Sequence, residues 1–119
     1  MTKVKIKRVY ETEDKSDGYR VFIDKLWPRG VKKENLHYDL WEKDIAPSIP
    51  LREWFHEDED GRWKEFQLKY KHELKESPAM KDFIDKIKGK STVTLLYASK
   101  NATENHALIL QDYLEEVLK

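Results

Sequence analysis

Two short apolar runs constrain this chain more than any other feature. Val21-Phe22-Ile23 is continuous, and Val93 through Ala98 is broken only by Thr94. A strand with one wet face alternates apolar and polar residues. An unbroken run therefore implies burial on both faces, the mark of a parallel sheet covered by other elements. The long segment between the two runs fits this, because parallel neighbours need a crossover where a hairpin does not. We expect two adjacent or near-adjacent central parallel strands. Val4 and Ile6 alternate with Lys3, Lys5 and Lys7, which predicts a third strand at or near an edge, where charge discourages further pairing.

Helical periods fill the crossover. Trp63, Phe66, Tyr70 and Leu74 recur at spacings of three and four, one apolar stripe of an amphipathic helix from Gly61 to Lys75 with no ligand role. Ser77-Pro78 predicts a cap and first turn. Met80, Phe83, Ile84 and Ile87 follow on one face, and Gly89 stands where a left-handed terminator is expected. Thr103 is positioned to cap a last helix that buries Ala107, Leu110, Leu114, Val117 and Leu118. A shorter helical turn is expected over Leu51 to Phe55, Asp14 to Gly18 reads as a loop, and Leu36 to Ile45 shows no clear period. The order of elements predicts a single α/β domain over 1–119, small and layered, with a mostly parallel central sheet flanked by helices.

Composition narrows the function. Twenty-three basic and 23 acidic residues cancel to a net charge of zero, which argues against nucleic acid or an anionic membrane surface as the main partner. The absence of cysteine excludes disulfides, thiolate metal sites and thiol nucleophiles. His37, His56, His72 and His106 are scattered, so neither a metal site nor a cofactor is expected. No stretch approaches the ~20 apolar residues of a membrane span, and the basic-apolar alternation of the amino terminus lacks a signal peptide's apolar core. A soluble, cytoplasmic protein is expected. Nothing in the chain signals an oligomeric state. Glu57 to Asp60 reads as a solvated connection, and Gly89-Lys90-Ser91-Thr92 only imitates a P-loop, since it precedes a strand and has Ile84 where the first glycine belongs.

Ligands of parallel sheets bind outside the carboxyl ends of the strands. Those ends here are Trp27-Pro28-Arg29-Gly30 and Ser99-Lys100-Asn101. Pro28 restricts one torsion and Gly30 permits torsions closed to other residues, so the turn can present Arg29 in one orientation. Its guanidinium suits phosphate or carboxylate, with Asp24 placed to orient it; alternatively, Arg29 pairs with Asp24 or a carbonyl and locks the loop. The second loop adds Asn105 and His106 and leads into a helix amino terminus, which favours an anion. His106 is the plausible proton shuttle at neutral pH, while Ser48 and Ser99 are weak nucleophile candidates. The expected function is binding of a small anionic, phosphate-bearing ligand by Asp24, Trp27, Arg29, Arg52, Ser99, Lys100, Asn101 and Asn105. Any catalysis would be a transferase or hydrolase step through His106. The alternative is a non-enzymatic regulator or nucleic-acid interaction module built on the basic helical segment 51–88. Nine Lys or Arg stand against five Asp or Glu between Gly61 and Lys90.

Four stretches together, "DKLWPRG" (24–30), "APSIPLREWF" (46–55), "WKEFQLKYKHEL" (63–74) and "TLLYASK" with "NHA" (94–107), resemble the YeaO-like family of uncharacterised bacterial proteins, domain of unknown function 488. The resemblance spans nearly the whole chain and implies a compact α/β domain without an agreed activity. It also implies that Arg29, Arg52, Lys100, Asn105 and His106 match the family's signature positions. Lys25 departs from the arginine associated with that position. Longer relatives of the wider superfamily carry cysteine after the equivalent late strand, and a chain without cysteine inherits no thiol chemistry.

Overall fold

In the computed structural model, which describes residues 2–119, the two apolar runs lie side by side. Strands β1 (Lys3–Arg8), β2 (Tyr19–Phe22), β3 (Leu40–Trp41) and β4 (Thr92–Tyr97) form one sheet in the order β1-β4-β2-β3, with every pair parallel. Val21 is opposite Leu95 and Phe22 opposite Leu96. Ile23, one residue past β2, still donates to the Leu96 carbonyl at 3.1 Å. The lysine-bearing β1 is an edge strand. The segment Leu36–Ile45 contains β3 and a 3-10 turn over Lys43–Ile45.

Alternation sends the central side chains to opposite faces. Val21, Ile23, Val93, Leu95 and Tyr97 join one cluster with the buried faces of α1 (Ile49–His56), α2 (Glu59–Glu76), α3 (Pro78–Ile87) and α4 (His106–Val117). Phe22 and Leu96 join a second cluster with Val9, Leu36 and the partly buried Trp27, Tyr38 and Trp41, none of which is helical. The helices therefore cover one face, and the β2–β3 connection covers the other. Among the described residues no helix is long and apolar enough to cross a membrane.

Each helix begins on a side-chain oxygen: Ser48, Asp58, Ser77 and Asn105 accept from the backbone N–H of Leu51, Gly61, Met80 and Leu108. The last of these corrects an expectation. Thr103 does not cap α4; its N–H and hydroxyl both donate to Asn101 Oδ1, and Asn105, adjacent to the helix, takes the cap. Gly89 is not a left-handed terminator either, because α3 ends on Lys88 at φ −53° and, among the described residues, only Gly18 and Gly30 have positive φ. Val117 is exposed and Leu118 only half-buried, while Ile109 and Tyr113 complete the buried face of α4. The stripe on α2 packs as expected, with Phe66, Tyr70 and Leu74 buried and Trp63 against them.

The loop before β2 holds a buried ion cluster. Asp17, 1% exposed, accepts from Lys7 Nζ at 2.8 and 3.1 Å, from Arg20 Nη1 at 2.5 Å and from the Asp14 N–H at 3.0 Å. Its carbonyl accepts from the Thr94 hydroxyl at 2.7 Å, which ties the loop to β4. Gly18 follows at φ 64° and ψ −129°, and a Cβ built on it would lie 2.4 Å from the Thr92 carbonyl oxygen. Gly18→Ala is therefore expected to cost about 1–3 kcal/mol in backbone strain, with the overlap added to it. A thermal melt checks this, and an unchanged melting temperature would show that the start of β4 can move aside.

Candidate functional site

Because all four strands are parallel, their carboxyl ends share one edge, and the loops leaving β1, β2 and β4 meet there. They enclose a cavity of about 600 Å³ with the start of α4 and one side of α1. Asp24, Trp27, Arg29, Arg52, Ser99, Lys100, Asn105 and His106 all line it. Asn101 does not. Its side chain organises the loop instead, donating to Glu59 at 3.0 Å and accepting from the N–H groups of Thr103 and Glu104. A second hollow of about 560 Å³ lies along α1 and α2 and shares no residue with this cavity.

The first loop is built around Trp27. Its indole N–H donates to the Val31 carbonyl at 2.6 Å, and its ring meets Phe22, Tyr38 and Trp41 edge-on. This anchors the turn, and Gly30 at φ 74° lets the chain reverse beyond it. Arg29, on the exposed crest, makes no ion pair or side-chain hydrogen bond among the described residues; only its carbonyl is used, accepting from the Tyr10 hydroxyl at 3.1 Å.

Asp24 does not orient Arg29, contrary to expectation. Its Oδ2 accepts from the Ala98 N–H at 3.0 Å, joining the ends of β2 and β4, and its carbonyl accepts from the Trp41 indole at 2.7 Å. Its Oδ1 is buried and faces His106 Nε2 at 3.1 Å, in a geometry too poor for a full hydrogen bond. The same Nε2 stands 3.3 Å from the Ile23 carbonyl. A carbonyl can only accept, so Nε2 carries the hydrogen and Nδ1 is the acceptor of the neutral ring. Beneath the ring, Tyr70 meets it edge-on at 6.2 Å, with its hydroxyl donating to the Ile45 carbonyl at 2.6 Å. Burial, followed by the charges of Glu73 and Asp24, raises the Tyr70 pKa well above the usual phenol value, so it stays neutral.

The second loop is similarly committed. Asn105, buried, donates to the Asn101 carbonyl at 2.8 Å and caps α4 at 3.1 Å, while Ser99 Oγ accepts from the Asn101 N–H. Ser48 stands outside the cavity lining, with its hydroxyl held 2.5 Å from Glu73. The free groups of the cavity are its cations. Lys25, Arg29, Arg52 and Lys100 line it, and none has a carboxylate within ion-pair distance among the described residues. Glu59 and Glu104 also line it; Glu59 is engaged by His56 at 2.6 Å as well as by Asn101.

Tyr10, Lys25 and His56 were missed in the sequence as lining residues. Tyr10 was findable in principle: β1 runs parallel to β4 with Arg8 opposite Tyr97, so a residue just past Arg8 must emerge at the same edge as Ala98. Among the described residues no three His, Asp or Glu side chains gather as a metal-binding group.

The fold and this edge define a small α/β domain of parallel strands with a basic cavity at their carboxyl ends. More narrowly, the chain belongs to the YeaO-like DUF488 family: residues 3–119 match the family model described as "Inactive DUF488-N3 subclade". It is 43% identical to uncharacterized protein YeaO of Escherichia coli (strain K12) over 114 residues, covering 96% of this chain and 98% of that one. It is 40% identical over 113 residues to uncharacterized proteins of Mycobacterium bovis and Mycobacterium tuberculosis, covering 95% of this chain and 94% of each. No solved structure matches the chain.

Proposed function

We propose that this protein binds a small anionic, phosphate-bearing ligand in the cavity at the carboxyl ends of β2 and β4. The observation that carries the reading is that Lys25, Arg29, Arg52 and Lys100 converge on one hollow without internal partners. Long charged side chains at a surface usually find a carboxylate or spread into solvent; four unpaired around one concavity form a site that lowers the energy of an anion. Arg29 supplies a planar fork suited to phosphate, and Arg52 lines the same cavity from α1. His106, set beside Asp24 and bonded to the Ile23 carbonyl, offers a proton donor or acceptor beside that charge. No side chain at the cavity is set up as a nucleophile, since the Ser99 hydroxyl is engaged in its own loop. Binding without turnover agrees with the word "inactive" in the description of the matching family. The alternative nucleic-acid reading of the helical segment 51–88 is less favoured. Arg62, Lys69, Lys71, Lys86 and Lys88 there already pair with Glu57, Glu65, Asp112, Glu42 and Asp85.

Arg29→Ala is expected to weaken phosphate or sulfate binding on the order of 10–100-fold, the value of a charge-assisted hydrogen bond, and Arg29→Lys to restore only part. Stability should change by less than about 0.5 kcal/mol, because the guanidinium has no internal partner. Calorimetric titration alongside thermal melts separates the roles. A lowered melting temperature with unchanged anion affinity would make Arg29 a loop clamp and end this reading.

A further inference from the structure

We infer that the anion taken at this cavity is a nucleoside monophosphate, with its base stacked on Tyr10 and its phosphate on Arg29. The inference rests on the anion-binding reading above and adds the class of molecule that carries the anion. Tyr10 lines the cavity and is 51% exposed, so part of its ring is open to a ligand. Yet it is held. Its hydroxyl donates to the Arg29 carbonyl at 3.1 Å, and the Arg8 guanidinium lies 4.8 Å from its ring centroid. The ring and the residue that carries the free guanidinium are thus one unit, so a ligand held by Arg29 has an ordered aromatic surface beside its anionic group. Leu26, 65% exposed and also lining the cavity, widens the apolar rim. An ordered, half-exposed tyrosine next to an unpaired arginine matches a planar base joined to a phosphate, because every base offers a π-face and stacking tolerates sequence.

Size and charge select the monophosphate. A hollow of about 600 Å³ falls in the range of small-ligand sites. Its four cations share the lining with the carboxylates of Asp24, Glu59 and Glu104, an excess of one positive charge. A single phosphate is compensated most nearly, and each further phosphate of a triphosphate adds negative charge with no further cation to meet it.

The test compares AMP, ribose 5-phosphate and inorganic phosphate by calorimetry on the full chain at one fixed ionic strength. AMP should bind on the order of tenfold more tightly than ribose 5-phosphate, the gain expected from one stacked base. Tyr10→Ala should close that gap, while Tyr10→Phe, which keeps the ring, should retain most of it. Equal affinities for AMP and ribose 5-phosphate in the wild type would overturn the inference and leave the anion site standing. A gap that survives Tyr10→Ala would also overturn it. If none of the three ligands binds, the anion-binding reading fails and this inference fails with it.

Discussion

Phe66→Ala lowers the stability of this fold by about 3–5 kcal/mol, the cost of removing a large aromatic from a packed interior and leaving a hole behind. Phe66 is 2% exposed, lies 4.0 Å from Phe55 centroid to centroid in a near-parallel stack, and meets Tyr70 on its other side at 5.9 Å. Through these rings α1 and α2 are joined to the floor under His106, so the loss falls on the contact that positions the site. Against the 5–15 kcal/mol typical of a domain, the variant should melt far below the wild type. Chemical denaturation followed by circular dichroism measures it. Phe66 also lines the cavity, which gives the experiment a second use. A variant with an unchanged melting temperature but lost anion binding would show that the ring serves the ligand and not the core.

Asp17→Asn should cost a similar amount, about 3–5 kcal/mol, by leaving the Arg20 guanidinium buried without its counter-charge. Arg20 is 2% exposed, and its remaining partner is the His37 carbonyl at 2.9 Å. The pH dependence gives an independent check. Burial pushes the Asp17 carboxyl up, but the Lys7 ammonium, the Asp14 N–H and the Arg20 guanidinium outweigh it and hold the pKa at about 2, below the ordinary 3.8. A carboxyl with a depressed folded-state value stabilises above its unfolded value and loses that contribution as pH falls. Asp17 therefore contributes about 2 kcal/mol above pH 4, lost progressively between pH 3.8 and about 2. Melts from pH 7 to 2 should show a wild-type decline in that window that Asp17→Asn lacks. Parallel curves for the two proteins would place the acid sensitivity elsewhere.

Local pattern made most of the sheet and helices legible. Continuous apolar runs marked β2 and β4, basic alternation marked β1, and a three-and-four stripe marked α2, because each depends on which faces of one element are buried. The site was legible to the extent that it follows from strand direction: once β2 and β4 are parallel, Arg29 and Lys100 must leave the sheet at the same edge. Where side chains choose partners across long sequence distances, pattern failed. Asp24 is five residues from Arg29 but bonds to the Ala98 N–H and stands beside His106, because the end of β4 brings an unpaired N–H to it. Asp17 looked like a loop acid, and only the pairing of β1 and β2 with β4 places Lys7 and Arg20 around it.

The sequence by itself thus determined a parallel α/β sheet, its edge strand, its helical stripe and the two loops at its carboxyl edge. Those properties are set by the period of burial along a continuous stretch of chain. Tertiary structure alone decided which charges are spent and which remain free. Lys7, Asp17 and Arg20 neutralise one another within the fold, and Asp24 is committed to a backbone N–H beside a histidine. Lys25, Arg29, Arg52 and Lys100 are left around one cavity. Ion pairing depends on distance in space and on desolvation, and neither is encoded in the spacing of residues along the chain.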